Sequence, residues 1–206
     1  MNITVAYSYF RMPILVMKAK SYIMLFLASL VLVSIAEPFQ SGQEQSATIG
    51  TRSYKISAIG SVEMSVPLRW EESVQVLEVP PAFTLAYRLP SVKDFYMKVT
   101  SAWEPQQERS ARDPGWLRHV VEKTGQALGD KNPKLNEING PSVKGYYLQV
   151  AHKERFPIGE FKYVVQGVVD LGKITVVFSV YSTKKELPEL SEALRVIESA
   201  RFVAAN

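Results

Sequence analysis

Residues 160–182 carry the strongest strand signal of the chain and read EFKYVVQGVVDLGKITVVFSVYS. A tight link, Leu171-Gly172-Lys173, separates two runs that are rich in β-branched and aromatic residues. Such runs favour strands, and a short glycine-containing link between them predicts a β-hairpin. Apolar residues occupy both alternating faces of the first run, as at Val164 and Val165. A strand that is apolar on both faces needs a layer of structure above and below it.

Further strand candidates lie on both sides of this hairpin. They alternate polar and apolar residues and are bounded by turn signals such as Gly60-Ser61, Pro80-Pro81 and Asn139-Gly140-Pro141. The candidates are Tyr54–Ser57, Val62–Val66, Ser73–Val79, Phe83–Leu89, Phe95–Trp103 and residues 143–153.

Two segments repeat apolar residues at helical spacing. The first begins after Asp113, a suitable N-cap, and Pro114, and Gly129 is placed to end it. The second begins near Pro188 and is followed by a short extended segment that closes the chain, Ser199–Val203. The pattern therefore predicts an α+β fold, with an antiparallel sheet of about six strands flanked by two helices.

The first 36 residues resemble a secretory signal peptide. Lys18 and Lys20 precede an uncharged, mostly apolar run, Tyr22–Ile35, and small residues at Ser34 and Ala36 suit a signal peptidase. An uncleaved membrane anchor and a true translation start at Met17 are open alternatives. We expect a signal peptide at 1–36, a flexible Gln- and Ser-rich leader at 37–50 and a single domain at 51–206, exported to the periplasm or the cell exterior.

Cleavage of the expected signal peptide would change the net charge of the chain. The full chain has 24 Lys+Arg and 20 Asp+Glu, but residues 1–36 hold three basic residues and no acidic one. The remaining chain then has a net charge of +1, so it lacks the basic footprint of a nucleic-acid-binding protein. Arg109, Arg112 and Arg118 are expected to form a solvated face. The chain has no Cys, which excludes thiol catalysis, zinc–thiolate sites and iron–sulfur clusters.

Motifs for catalysis are missing from the sequence. The two histidines, His119 and His152, are far apart, and neither belongs to a His-Glu-x-x-His pattern. The sequence also contains no Gly-x-Ser-x-Gly elbow and no glycine-rich phosphate loop. We therefore predict a non-enzymatic protein without a cofactor or metal. A hydrolase with a dispersed site is the remaining enzymatic alternative, and it requires one histidine beside an acidic residue in a cleft.

Several segments together resemble the PsbP-like superfamily, named for an extrinsic protein of photosystem II. The segments are Val62–Trp70, Ile138–Gly140, Gly145–Tyr147, Tyr163–Gly167, Val177–Ser179 and Ser199–Phe202. The resemblance implies an α/β/α sandwich with an antiparallel sheet, and it implies protein binding, since known members mostly bind proteins and are not enzymes. This chain departs from lipoprotein members because it has no Cys to carry a lipid.

Five residues form the predicted interaction surface: Trp70, Trp103, Tyr147, Gln149 and Gln166. The tryptophans stand near element ends, where a ring can lie half buried, and amphipathic aromatic rings favour interfaces. Tyr147 and Gln149 fall on one face of their strand, with Gln166 nearby on the next long strand. Such a polar cluster is either a satisfied cross-strand pair or the floor of a shallow groove, and the pair is the favoured interpretation. This hypothesis predicts an exposed aromatic patch that binds a protein or envelope component. The alternative is a carrier of a small apolar or lipid-like ligand, with an internal pocket lined by Val, Phe and Tyr.

Overall fold

The computed structural model describes residues 48–56, 59–77, 82–90, 92–103, 115–151 and 161–205. It contains ten strands and two helices in these ranges. The strands are β1 (Ile49–Ile56), β2 (Gly60–Pro67), β3 (Glu71–Leu77), β4 (Ala82–Leu89), β5 (Val92–Trp103), β6 (Asn136–Gly140), β7 (Val143–Ala151), β8 (Tyr163–Asp170), β9 (Ile174–Ser182) and β10 (Arg201–Ala204). The helices are α1 (Trp116–Ala127) and α2 (Pro188–Glu198). These bounds confirm the α+β class.

Seven strands form one antiparallel sheet in the order β3-β4-β5-β9-β8-β7-β6. The predicted hairpin is confirmed, because β8 and β9 pair from Tyr163↔Ser182 to Asp170↔Thr175. Both strands are almost wholly buried, as expected for strands that are apolar on both faces. The edges of this sheet are β3 and β6.

A second sheet of three strands, in the order β1-β2-β10, corrects the prediction of a single sheet of about six strands. The closing segment forms β10 as expected, and it pairs antiparallel with β2. The apolar face of the β1–β2 hairpin, which includes Tyr54, Val62 and Met64, belongs to the same core as the large sheet. Alternation predicts such a strand, but it does not determine whether the strand extends a sheet or packs on its face.

Two hydrophobic cores lie on the two faces of the large sheet. Along β8, Val165 and Val169 belong to the first core, and Val164 and Val168 belong to the second. The first core also contains the apolar face of α2, and the second contains Val121 of α1. Because neighbouring strand residues point to opposite faces, α1 and α2 pack on opposite sides of the sheet.

The junction of β2 and β10 requires glycine. Gly60 begins β2 with a φ of +144°, a backbone conformation that residues with a Cβ rarely adopt. A Cβ built at this position would lie 2.1 Å from the backbone oxygen of Val203. Gly60 therefore allows the last strand to approach β2 closely, opposite Ala204.

Several predictions lie outside the described residues. They are the signal peptide, the leader as far as residue 47, Pro80-Pro81, Arg109, Arg112 and His152. The predicted Asp113 cap is wrong, because α1 begins at Trp116 with Gly115 at its N-cap. At the domain's predicted start, β1 already begins at Ile49, ahead of residue 51. Neither helix in the described ranges is long and apolar enough to cross a membrane.

Candidate protein interface

Trp70 lies in the core, which corrects its assignment to an interaction surface. Its side chain is 2% exposed, and its ring packs 5.7 Å from that of Tyr87 and 5.0 Å from that of Phe95. The indole Nε1 is a buried donor without a hydrogen-bond partner in the described part of the chain. Trp70 follows the turn between β2 and β3, so its burial anchors the start of β3 in the core.

The predicted polar cluster on β7 and β8 is divided between the two sheet faces. Tyr147 packs half buried against the first core, and Gln149 is exposed on the same face. Gln149 donates a hydrogen bond from Nε2 to the carbonyl of Lys185 at 2.7 Å. Gln166 is buried and pairs with Leu148 of the second core, so it lies on the opposite face. These three residues therefore do not form one surface.

The remaining sequence candidates do not gather into a site. Trp103 is the last residue of β5, and its side chain lies outside the description. His119 is exposed on α1. Within the described residues there is no group of three or more His, Asp or Glu side chains that could hold a metal ion.

A hydrogen-bonded network that the sequence analysis missed joins the start of β3 to the three-stranded sheet. The Tyr54 hydroxyl donates to Glu72 Oε2 at 2.6 Å, and the Tyr87 hydroxyl lies 2.7 Å from that of Tyr54. Arg52 Nη1 forms an ion pair with Glu72 at 2.8 Å, and its Nη2 donates to the Trp70 carbonyl at 3.0 Å. The sequence offered only a weak signal, namely that Glu71 and Glu72 point to opposite faces of a strand.

Burial and neighbouring charges shift the pKa values of three groups in this network. Burial and the hydrogen bond to Glu72 raise the pKa of Tyr54, and burial and the hydrogen bond to Tyr54 raise the pKa of Tyr87. Burial works to lower the pKa of Arg52, but the hydrogen bond and charge of Glu72 outweigh it and raise that pKa. Both tyrosines are therefore neutral and Arg52 is charged at neutral pH, and the network links β1, β3 and β4.

The edge strand β3 is the most exposed regular element of the large sheet. All six residues from Glu71 to Val76 are exposed, although β3 pairs with β4 along its full length without a break. Val74 is 49% exposed and Val76 is 55% exposed. Both share a face with Glu72, which the network contacts, but the three-stranded sheet does not cover them.

Exposed aliphatic side chains occur at the start of β1 with the β2–β3 turn, and on the edge strand β3. Four of the five exposed large hydrophobic side chains in the described ranges are Ile49, Leu68, Val74 and Val76. They lie on β1, the β2–β3 turn and β3 and are called the β1–β3 patch below. Ile49 pairs with Pro67, and the Leu68 side chain lies over Gly50. The exposed side chains of the patch are aliphatic.

A surface groove of about 400 Å³ lies between β2, the turn at 141–142 and the end of α2. Its walls include the carboxylates of Glu63 and Glu198 and the hydroxyl of Ser199. Arg201 lies at the same groove and bonds to Glu63 at 2.6 Å. Met64, Pro141 and Ala200 also line the groove, but it contains none of the Val, Phe and Tyr side chains expected around an apolar ligand.

Comparisons with known proteins relate the chain to solved structures. It is similar to cyanobacterial PsbP (CyanoP) from Synechocystis sp. PCC 6803, with 13% sequence identity, a TM-score of 0.47 and coverage of 80% of this chain and 98% of that one. It is also similar to a protein from Bacteroides thetaiotaomicron VPI-5482, with 16% identity, a TM-score of 0.40 and coverage of 69% of this chain but only 45% of that one. No protein-family model and no curated protein matches the chain.

At these identities and TM-scores neither likeness carries an argument, and the functional arguments rest on the residues of this chain.

Proposed function

We propose that this chain is an exported, non-enzymatic domain of the PsbP-like α/β/α-sandwich type that binds a protein partner through the β1–β3 patch. The observation that carries the proposal is that four of the five exposed large hydrophobic side chains in the described ranges lie on β1, the β2–β3 turn and β3. Clustered exposed apolar surface is typical of interaction sites, whereas isolated exposed apolar residues are common on any protein.

Burial of the β1–β3 patch in a complex contributes favourable free energy of binding. Full burial of a Val, Leu or Ile side chain contributes roughly 1.5–3 kcal/mol, and each of the four residues is about half exposed or more. Covering them therefore contributes several kcal/mol before the cost of association is subtracted. The network at Glu72 and the buried Trp70 hold the start of β3 against the core, so little ordering of this segment accompanies binding.

The proposal also specifies the compartment and the type of partner. The signal-like residues 1–36 direct the chain to the periplasm or the cell exterior, where it acts after cleavage without a membrane anchor. The near-neutral charge of residues 37–206 favours a protein partner over nucleic acid. No cofactor or metal takes part.

Site-specific photo-crosslinking tests the proposal in cells that export the full chain. A photoreactive residue is placed at Val74 or Leu68, and at Arg118 on the exposed side of α1 as a control. We expect a discrete crosslinked protein species, identified by mass spectrometry, from the two patch positions and none from the control. Equal capture at all three positions, or none at the patch, overturns the proposal.

A further inference from the structure

The outer edge of β3 is open to a further strand. β3 ends the order of the seven-stranded sheet and pairs with β4 on one side only. No strand among the described ranges pairs with its other side. The outward backbone donors and acceptors of such an edge strand form a template for another strand.

Devices that normally protect an edge strand are missing from residues 73–77 of β3, although Glu72 at its start is an inward-pointing charge. Proline, lysine, inward-pointing charges and bulges are the usual means of blocking strand addition. Residues 73–77 read SVQVL and contain none of these residues, and the register from Glu71↔Arg88 to Leu77↔Ala82 has no shift. The two acidic residues, Glu71 and Glu72, stand together at one end of the strand.

We propose that the partner at β3 is a second copy of this chain, which pairs antiparallel with β3 so that the two sheets join across a twofold axis at Val74. This inference rests on the proposed function, because it names the partner of the same patch. Val74 is the middle residue of β3, so an axis at this position pairs all seven residues of each copy.

The charges and side chains of β3 suit this self-pairing. Around Val74, Glu71 faces Leu77 of the second copy and Glu72 faces its Val76, so no two carboxylates lie opposite each other. Like charges placed directly opposite destabilise a strand pair. Val74 and Val76 of both copies share one sheet face, because residues two apart on a strand do so. The net charge of +1 on residues 37–206 produces little repulsion between copies.

The size of the contact sets its strength. One seven-residue strand pair, with the neighbouring side chains, forms an interface at the small end of the range for specific complexes. We therefore expect a weak dimer whose population depends on concentration, and the test must be able to trap it.

Engineered cysteines provide that test, because the chain has no Cys of its own. The full chain carrying Val74→Cys is purified after export and oxidised mildly. Directly opposed residues of an antiparallel pair have Cα atoms about 4.5–5.5 Å apart, within the range of a disulfide. The controls are Val76→Cys and the exposed Val203→Cys. In the proposed dimer the two copies of position 76 lie four residues apart along the strand, roughly 13 Å, which is too far for a disulfide bond.

We expect Val74→Cys to form disulfide-linked dimer at least about tenfold faster than either control, because only its two thiols are opposed. We also expect Val76→Lys to shift the cysteine-free chain towards monomer in sedimentation velocity while its thermal unfolding is unchanged. Equal oxidation of all three cysteine variants overturns the inference. If photo-crosslinking from Val74 captures a different protein and no dimer forms, the second copy is excluded and the proposed function stands; if neither occurs, both fail.

Discussion

The two tyrosines of the buried network differ in their expected contributions to stability, although Tyr→Phe removes one hydroxyl from each. Since Glu72 only accepts, the Tyr54 hydroxyl donates to Glu72 and the Tyr87 hydroxyl donates to Tyr54. Tyr54→Phe therefore breaks two hydrogen bonds and leaves the Tyr87 hydroxyl buried without an acceptor in this network. Tyr87→Phe breaks one bond and leaves every remaining donor of the network paired.

The magnitudes follow from these geometries. A neutral hydrogen bond contributes about 1 kcal/mol, and a buried donor left unpaired costs about 1–3 kcal/mol. Tyr87→Phe should lower the free energy of unfolding by about 1 kcal/mol. Tyr54→Phe should lower it by about 3 kcal/mol, because Tyr87 is fully buried and Glu72 loses a charge-assisted bond. Glu72 keeps its ion pair with Arg52, which limits this loss.

The double variant separates the network from ordinary packing. Once Tyr54 is replaced, Tyr87→Phe removes an unpaired donor, so it should be neutral or stabilising in that background. Urea unfolding at neutral pH, followed by tryptophan fluorescence, measures all four free energies. Equal losses for the two single variants, or additive losses in the double variant, would refute the assigned direction of the hydrogen bonds.

Three further predictions concern pH, the β2–β10 junction and the two sheet faces. Above about pH 10 the free energy of unfolding should fall by up to about 1.4 kcal/mol per pH unit for each network tyrosine. The reason is that the folded chain keeps the tyrosine protons that the unfolded chain releases. Urea titrations at rising pH should show a shallower fall in the Tyr54→Phe, Tyr87→Phe double variant. Gly60→Ala should lower the melting temperature by several degrees more than Gly172→Ala, because both have positive φ but only Gly60 meets a backbone oxygen. Gln166→Glu should destabilise by about 2 kcal/mol because Gln166 is buried, and Gln149→Glu should cost less than about 1 kcal/mol in the same urea assay.

Local patterns predicted the elements that depend on neighbouring residues. The β8–β9 hairpin follows from two apolar runs and a short glycine-containing link. Gly129, which was expected to end α1, has a φ of +92° directly after the helix. The apolar stripe of α2 was also predicted, and Leu190, Ala193 and Ile197 are buried in it. In each case the residues that define the element lie within a few positions of one another.

The predicted interface residues were less successful because their surroundings come from distant segments. Trp70 is buried by Tyr87 and Phe95, which belong to β4 and β5. Gln166 and Gln149 lie on opposite faces because the β7–β8 register pairs Gln166 with Leu148. A shift of one residue in that register would exchange the faces, and the residue pattern of each strand alone does not specify the register.

The sequence by itself determined the α+β class, the two helices, the central hairpin and the resemblance to PsbP-like proteins, since all of these arise from short-range periodicity and turn residues. Only the tertiary structure decided that β1, β2 and β10 form a separate sheet, that Arg52, Glu72, Tyr54 and Tyr87 meet, and that β3 is left as an exposed edge. These features depend on which apolar faces cover one another, and the same alternation of residues suits a strand at the centre of a sheet, on its face or at its edge.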